Sequence, residues 1–99
     1  MKTAAECASL DEVRAEIDRI DEQVISLWGQ RADYVQAAAR FKSKESEIAA
    51  PERFAAMLEL RRTWAEREGL SPDVIEAIYR DLVRYFIDRE KEHWRNAQS

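Results

Sequence analysis

Apolar residues recur every three or four positions along the first part of the chain, at Leu10, Val13, Ile17, Ile20, Val24 and Leu27. The same steps lead on to Arg31, Tyr34, Ala38 and Phe41. This repeat is typical of an α-helix that packs through one narrow apolar seam. Ser9, followed three residues later by Glu12, predicts a capping box at the helix start. The pattern therefore predicts one helix from Leu10 to about Phe41, with Arg31 as the only charged residue in its seam.

Two more helices are predicted in the second half of the chain. The polar stretch 42–50 has no periodicity and indicates a loop. A second helix is expected from Pro51 to Gly69, because proline favours the first helical turn and glycine the position just after the last. A third helix begins at Pro72, and its apolar positions continue to Trp94. We therefore expect an all-α fold of three helices, one long and two shorter, in a single domain that spans residues 1–99.

The predicted length of the first helix bears on the oligomeric state. At about 1.5 Å per residue the helix is about 48 Å long, whereas a compact domain of this size has a radius of gyration of about 13 Å. One chain cannot cover such a helix. The rest of its seam must be buried by another copy, most economically in a two-fold dimer with interlocked helices. We therefore expect an obligate homodimer.

Composition excludes several classes of function. The net charge is -4, and lysine and arginine alternate with acidic residues, which argues against a nucleic-acid partner. No apolar run approaches the roughly 20 residues that cross a bilayer, and the N-terminus lacks a signal-peptide core, so a cytoplasmic protein is expected. Cys7 and His93 are the only cysteine and histidine, too few for a Cys/His zinc site or a His-based triad within one chain. Any chemistry must use Arg, Lys, Asp, Glu or Tyr.

Four charged residues lie where the pattern predicts apolar or seam-bordering positions: Arg14, Arg31, Lys42 and Glu90. A further cation, Arg53, lies in the first turn of the second helix, just after the loop. Arg14 and Lys42 are about 42 Å apart on one helix, so they can reach the same small ligand only if two chains contribute. Together these residues describe an apolar pocket with three or four cations and one carboxyl group. Such a pocket suits a small dianion, and it can accelerate a unimolecular rearrangement or elimination by fixing a reactive conformer and stabilising developing charge.

Three of these charges also have a purely structural interpretation. Glu90 could pair with a nearby lysine or arginine. Arg31 could pair with Asp18 or Glu22 of a neighbouring helix. Arg53 could pair with Glu52 or Glu47. On this alternative hypothesis the protein is a non-catalytic helical dimer whose seam charges fix the register of the helices.

Five segments carry a resemblance to a known family: LDEVRAEIDRID (10–21), RADYVQAAARFK (31–42), APERFAAML (50–58), RRTWAEREGL (61–70) and YFIDREKEHWR (85–95). They resemble the all-α chorismate mutases, and most of all the salicylate-forming branch, the isochorismate-pyruvate lyases of siderophore pathways. The resemblance implies an intertwined dimer with two shared sites and no cofactor or metal. It also implies weak chorismate mutase activity beside the lyase reaction.

The resemblance assigns roles to residues of this chain. Arg14 of one chain and Arg31 of the other would bind the substrate carboxylates, and Lys42 would hydrogen-bond the enolpyruvyl group near its ether oxygen. Arg53 would support a ring carboxylate or hydroxyl, and Glu90 would act beside Lys42. Apolar walls would come from Val35, Ala38, Met57 and Ile87. In the lyase reaction the ring C2 hydrogen passes to the enolpyruvyl methylene as the C–O bond breaks, in one concerted step that requires no acid or base catalyst.

Two residues depart from the family pattern. The mutases commonly follow the arginine of the second helix with glutamate, whereas Arg53 is followed by Phe54, which favours the lyase over the mutase alternative. Glu90 stands where the lyases and many bacterial mutases have glutamine. A glutamate can donate to the ether oxygen only when protonated; burial favours that form, whereas Lys42 and Arg31 favour the carboxylate.

Overall fold

The computed structural model describes residues 2–47 and 50–98, and within these residues the chain forms helices and turns and no strand. This confirms the all-α prediction. Positions 48 and 49 of the predicted loop lie outside the described residues. The chain divides into two compact units, Met1–Tyr34 and Val35–Ser99, with the boundary inside the first helix. The described residues include no helix with the length and apolar character needed to cross a membrane.

The first helix, α1, spans Leu10–Ala38 and begins where the sequence predicts. The N–H of Glu12 donates to the Ser9 hydroxyl at 3.1 Å, which is one half of the predicted capping box. The other half is absent, because the Glu12 carboxylate accepts from the backbone N–H of Ala8 at 2.5 Å and from Lys2 at 2.7 Å. The predicted box is thus corrected: Glu12 holds the residues that precede the helix instead of closing back on Ser9.

Within the first unit, the predicted seam of α1 is exposed. None of the residues of α1 is buried, and the exposed apolar side chains include Leu10, Val13, Ile17, Ile20 and Leu27. An apolar row of this length on the surface is characteristic of a face that binds another molecule.

The end of α1 belongs to the second unit and is tighter than predicted. After Ala38 the chain makes a 3-10 turn, Ala39–Phe41, which the N–H of Lys42 closes by donating to the Ala39 carbonyl at 3.2 Å. Lys42 is extended, with φ -109° and ψ 130°, so the helix cannot continue through it. The helical segment therefore ends at Phe41 as predicted, but its last turn is not α-helical.

Two helices make up most of the second unit: α2, Pro51–Arg67, and α3, Pro72–Gln98. At the end of α2, Gly69 has φ +76°, and the N–H of Leu70 donates to the Ala65 carbonyl at 2.8 Å in a Schellman motif. The Ser71 hydroxyl then accepts from the N–H of Val74 at 3.3 Å and caps α3. The glycine stop and the serine cap are both as the sequence predicts.

The core of the second unit lies between α2 and α3. Met57 and Leu58 of α2 are buried against Val83 of α3, and the partly buried Phe54, Tyr79 and Ile87 surround them. Spacings of three and four residues place these side chains on one face of each helix, as the apolar pattern predicts. On α3 the buried face continues from Val83 through Phe86 and Ile87 towards the C-terminal half of the helix. Glu90, a residue of the candidate site, lies on this continuation of the face.

Candidate active site

The centre of the candidate site is an ion pair between Lys42 and Glu90. The Lys42 ammonium donates to Oε2 of Glu90 at 2.8 Å, across 48 residues of sequence. The Glu90 side chain is only 4% exposed and the Lys42 side chain 22%. A carboxylate so far removed from water requires a partner, and Lys42 supplies it. The structural interpretation of Glu90, pairing with a nearby cation, is therefore observed, and it joins two of the predicted site residues.

The apolar face of α3 explains why Glu90 is buried. Val83, Phe86 and Glu90, three and four residues apart, are buried on one face, and Ile87 on the same face is half-buried. Glu90 is the one charged or polar residue that is buried in the described part of the chain. Its carboxyl group therefore projects from the apolar face of α3, about one turn after Ile87, as the sequence predicts.

The apolar residues predicted as site walls are buried or half-buried. Met57 is buried in the α2–α3 core and Ile87 packs against the same cluster. Val35 and Ala38 are half-buried in the last turn of α1, which leads through the 3-10 turn to Lys42. The four predicted walls thus lie on α1, α2 and α3, and all of them belong to the second unit.

Arg53 lies on the exposed side of the first turn of α2. The structure gives it no ion pair with Glu52 or Glu47, which were the structural alternatives. Glu47 instead accepts a hydrogen bond from the Ser43 hydroxyl at 2.9 Å. Arg53 thus presents its charge to solvent near the start of α2, and its role towards a ligand stays a prediction.

The two remaining predicted cations, Arg14 and Arg31, lie on α1 in the first unit. Arg14 is exposed and Arg31 is half-buried. They are 17 positions apart in sequence, which corresponds to about 26 Å of helix. One α1 helix therefore cannot bring both guanidinium groups to the same small ligand. This distance is compatible with the expectation that Arg14 and Arg31 of one chain contribute to two different sites of a dimer.

Sequence reasoning missed the contacts that flank Lys42. Nε2 of Gln36 lies 3.3 Å from Nδ1 of His93, and the Glu45 carboxylate pairs with Arg95. The hydrogen bond from Arg95 lowers the pKa of Glu45, against a smaller opposing effect of burial, and the same bond raises the pKa of Arg95. Pairs of exposed residues distant in sequence leave no periodic signal, so no pattern could have found them.

A second charged residue on an apolar stripe, Arg61, has a structural explanation. Its guanidinium lies 4.8 Å from the ring centre of Trp64 and 5.5 Å from that of Tyr79. Burial lowers the pKa of Arg61, while the neighbouring Tyr79 acts in the opposite direction and Arg53 adds to the lowering. Arg61 therefore stabilises the α2–α3 packing through its contacts with the two rings. No group of three or more potential metal-ligating His, Cys, Asp or Glu residues occurs in the ranges 2–47 and 50–98.

Comparison with known proteins agrees with the helical arrangement and with the motifs. Residues 13–91 match the family model of chorismate mutase type II. The chain is 42% identical over 98 residues to the isochorismate pyruvate lyase of Pseudomonas aeruginosa, which covers 99% of this chain and 97% of that protein. It is 39% identical to a T-protein of Haemophilus influenzae over 77% of this chain and 20% of that protein.

A further relative is the bifunctional chorismate mutase/prephenate dehydratase of Aquifex aeolicus. It is 34% identical over 84% of this chain and 24% of its own length. The resemblance inferred from the five sequence segments is thereby confirmed: the chain belongs to the chorismate mutase type II family.

Proposed function

We propose that this chain is an isochorismate-pyruvate lyase that converts isochorismate to salicylate and pyruvate without a cofactor. The observation that carries the proposal is the 42% identity to the Pseudomonas aeruginosa lyase across 97% of that protein. The other two relatives described above align with only 20% and 24% of their own lengths. Similarity to the whole of one enzyme favours its activity over that of proteins matched only in part.

The Lys42–Glu90 pair supports the chemistry of this proposal. As the C–O bond of isochorismate breaks, negative charge develops on the departing oxygen of pyruvate. An ammonium that is already held 2.8 Å from a buried carboxylate needs little reorganisation to stabilise that charge. Lys42 is therefore assigned the contact with the ether oxygen, and Glu90, which accepts from the Lys42 ammonium, the role of orienting it.

The other residues bind the substrate and hold it in a reactive conformation. Val35, Ala38, Met57 and Ile87 form the apolar walls that favour a compact conformer and exclude water. Arg31 binds one carboxylate, and Arg53 assists at a ring carboxylate or hydroxyl. With the ring C2 hydrogen placed against the enolpyruvyl methylene, hydrogen transfer and C–O cleavage proceed together, and every atom of isochorismate appears in salicylate or pyruvate.

A homodimer completes the proposed site, and the exposed apolar row of α1 supports it. In a two-fold pair of α1 helices that row would be buried, and Arg14 of one chain would reach the site that contains Lys42 of the other. One family model runs from residue 13 to residue 91, so we treat residues 1–99 as one domain of each subunit.

A direct assay tests the lyase proposal. Purified protein is incubated with isochorismate, and salicylate is followed by its fluorescence, with a no-enzyme sample giving the uncatalysed rate. Salicylate release well above that rate is expected, together with stoichiometric pyruvate. Release at the uncatalysed rate would refute the proposal.

The second candidate function is chorismate mutase, which converts chorismate to prephenate. It is favoured by the family match and by the name of the Aquifex aeolicus relative. Phe54, which follows Arg53 where the mutases commonly have glutamate, argues against it as the main activity. We expect kcat/KM to be larger for isochorismate than for chorismate; the reverse order would assign the chain to the mutase reaction.

A further inference from the structure

The C-terminal turns of α3 contact the segment 36–47 at three points. Glu90 pairs with Lys42, the ring of His93 lies beside the Gln36 side chain, and Arg95 pairs with Glu45. The two flanking contacts lie on either side of Lys42 in sequence, six residues before it and three after it. Within the second unit, α3 thus holds both ends of the short segment that presents the Lys42 ammonium.

The part of this segment that follows α1, residues 39–47, has little regular structure of its own. Lys42 lies between two 3-10 turns, Ala39–Phe41 and Glu45–Glu47, and short 3-10 turns are only weakly stable. The second turn is closed locally, because the Ser43 hydroxyl donates to Glu47 at 2.9 Å and the Glu47 N–H to the Lys44 carbonyl at 3.1 Å. Such local bonds shape the turn but do not attach it to α3, and the ion pair of Glu45 with Arg95 makes that attachment.

We propose that Glu45 and Arg95 are positioning residues for Lys42, whose ion pair keeps the segment 42–47 against α3 and thereby keeps the Lys42 ammonium at Glu90. This inference rests on the proposed function, since it assumes that Lys42 acts on the substrate. Neither residue contacts the reacting atoms; both act through Lys42.

The charges and exposure of the pair fit this role. Arg95 raises the stability of the Glu45 carboxylate, as the lowered pKa of Glu45 indicates. The Arg95 side chain is 61% exposed and that of Glu45 33%, so the pair can open and re-form without a large desolvation cost. An exposed pair contributes modestly to global stability but can still decide how much of the time a weakly structured turn is docked.

The first test compares turnover in Arg95→Gln and Glu45→Gln with the wild type. Each change should lower kcat about three- to fivefold, the size expected for the loss of one exposed ion pair, with KM changed by less than about twofold. The double variant should be no slower than either single variant, and Arg95→Lys should recover most of the loss. Arg67→Gln removes a similarly exposed arginine, the last residue of α2, which pairs with Glu68, and should leave kcat unchanged.

The second test asks whether Arg95 acts through Lys42. In a Lys42→Ala background, Arg95→Gln should cause no further loss of kcat, because the group that it positions is gone. A loss of the same size in both backgrounds, additive losses in Arg95→Gln and Glu45→Gln, or wild-type kcat in both single variants would overturn the proposal.

A third measurement does not depend on turnover. Native tryptic cleavage of the bond between Lys42 and Ser43 should be about three- to fivefold faster in Arg95→Gln and in Glu45→Gln, and unchanged in Arg67→Gln. Unchanged cleavage in the first two variants would contradict the docking of the segment by this pair. If the wild type releases no salicylate, the lyase proposal fails, whereas the cleavage rates still decide whether the ion pair docks the segment.

Discussion

Replacing Lys42 with methionine should both destabilise the protein and slow the reaction, because one ammonium serves Glu90 and the substrate. Methionine keeps most of the side-chain length but leaves the carboxylate, 4% exposed, without its partner. Loss of one member of a fully buried ion pair costs about 3–5 kcal/mol. Since the Lys42 side chain is 22% exposed and water can partly replace it, we expect about 2 kcal/mol. For a chain of this length that corresponds to a decrease in Tm of about 10 °C.

The matched variants separate the two effects of Lys42. In the double variant Lys42→Met with Glu90→Gln no charge is left buried, so most of the lost stability should return, and the coupling energy should be about 1–2 kcal/mol. Turnover should not return, because removal of one donor to a developing oxyanion lowers kcat by about 10²–10³-fold. Thermal unfolding and the salicylate assay measure the two quantities. The reasoning fails if Lys42→Met unfolds at the wild-type temperature, or if the double variant regains wild-type kcat.

The remaining predictions concern the shared site and the end of α2. Arg14→Ala and Arg31→Ala should each be nearly inactive, yet an equimolar refolded mixture should regain about one quarter of wild-type activity, since half of the dimers would carry one intact site; no recovery would contradict sites built from two chains. Gly69→Ala should lower the free energy of unfolding by about 1 kcal/mol in chemical denaturation, because alanine is strained at φ +76°; wild-type stability would count against that strain.

The helices were predictable because their signals are local. Leu10, Pro51 and Pro72 begin helices in the structure as the sequence indicates, and Gly69 ends α2 with the positive φ that favours glycine. Each signal depends on a few neighbouring residues whose hydrogen bonds close within one turn. The same local reasoning erred at Glu12, because two competing donors, Lys2 and Ala8, lie outside the motif.

The candidate site was predictable only in part. Periodicity places Glu90 on the buried face of α3, but it contains no information about which cation meets the carboxylate. The Lys42 contact depends on where a turn of 3-10 geometry directs the chain after α1, and the Arg95–Glu45 contact on two exposed side chains 50 residues apart. Contacts of this kind are decided by tertiary packing, so they become visible only in three dimensions.

The tight connection between α2 and α3 has a consequence for the order of folding. The Schellman motif at Gly69 and the cap at Ser71 bring Leu58 and Val83 together across a short stretch of chain, so closing this contact costs little loop entropy. We expect this pair of helices to form the folding nucleus of each chain, before α1 acquires its final packing. Val83→Ala should then slow refolding more than it speeds unfolding in stopped-flow experiments, whereas the opposite result would place the nucleus elsewhere. The pair of helices that carries Met57 and Glu90 would thus be in place early in the folding of each chain.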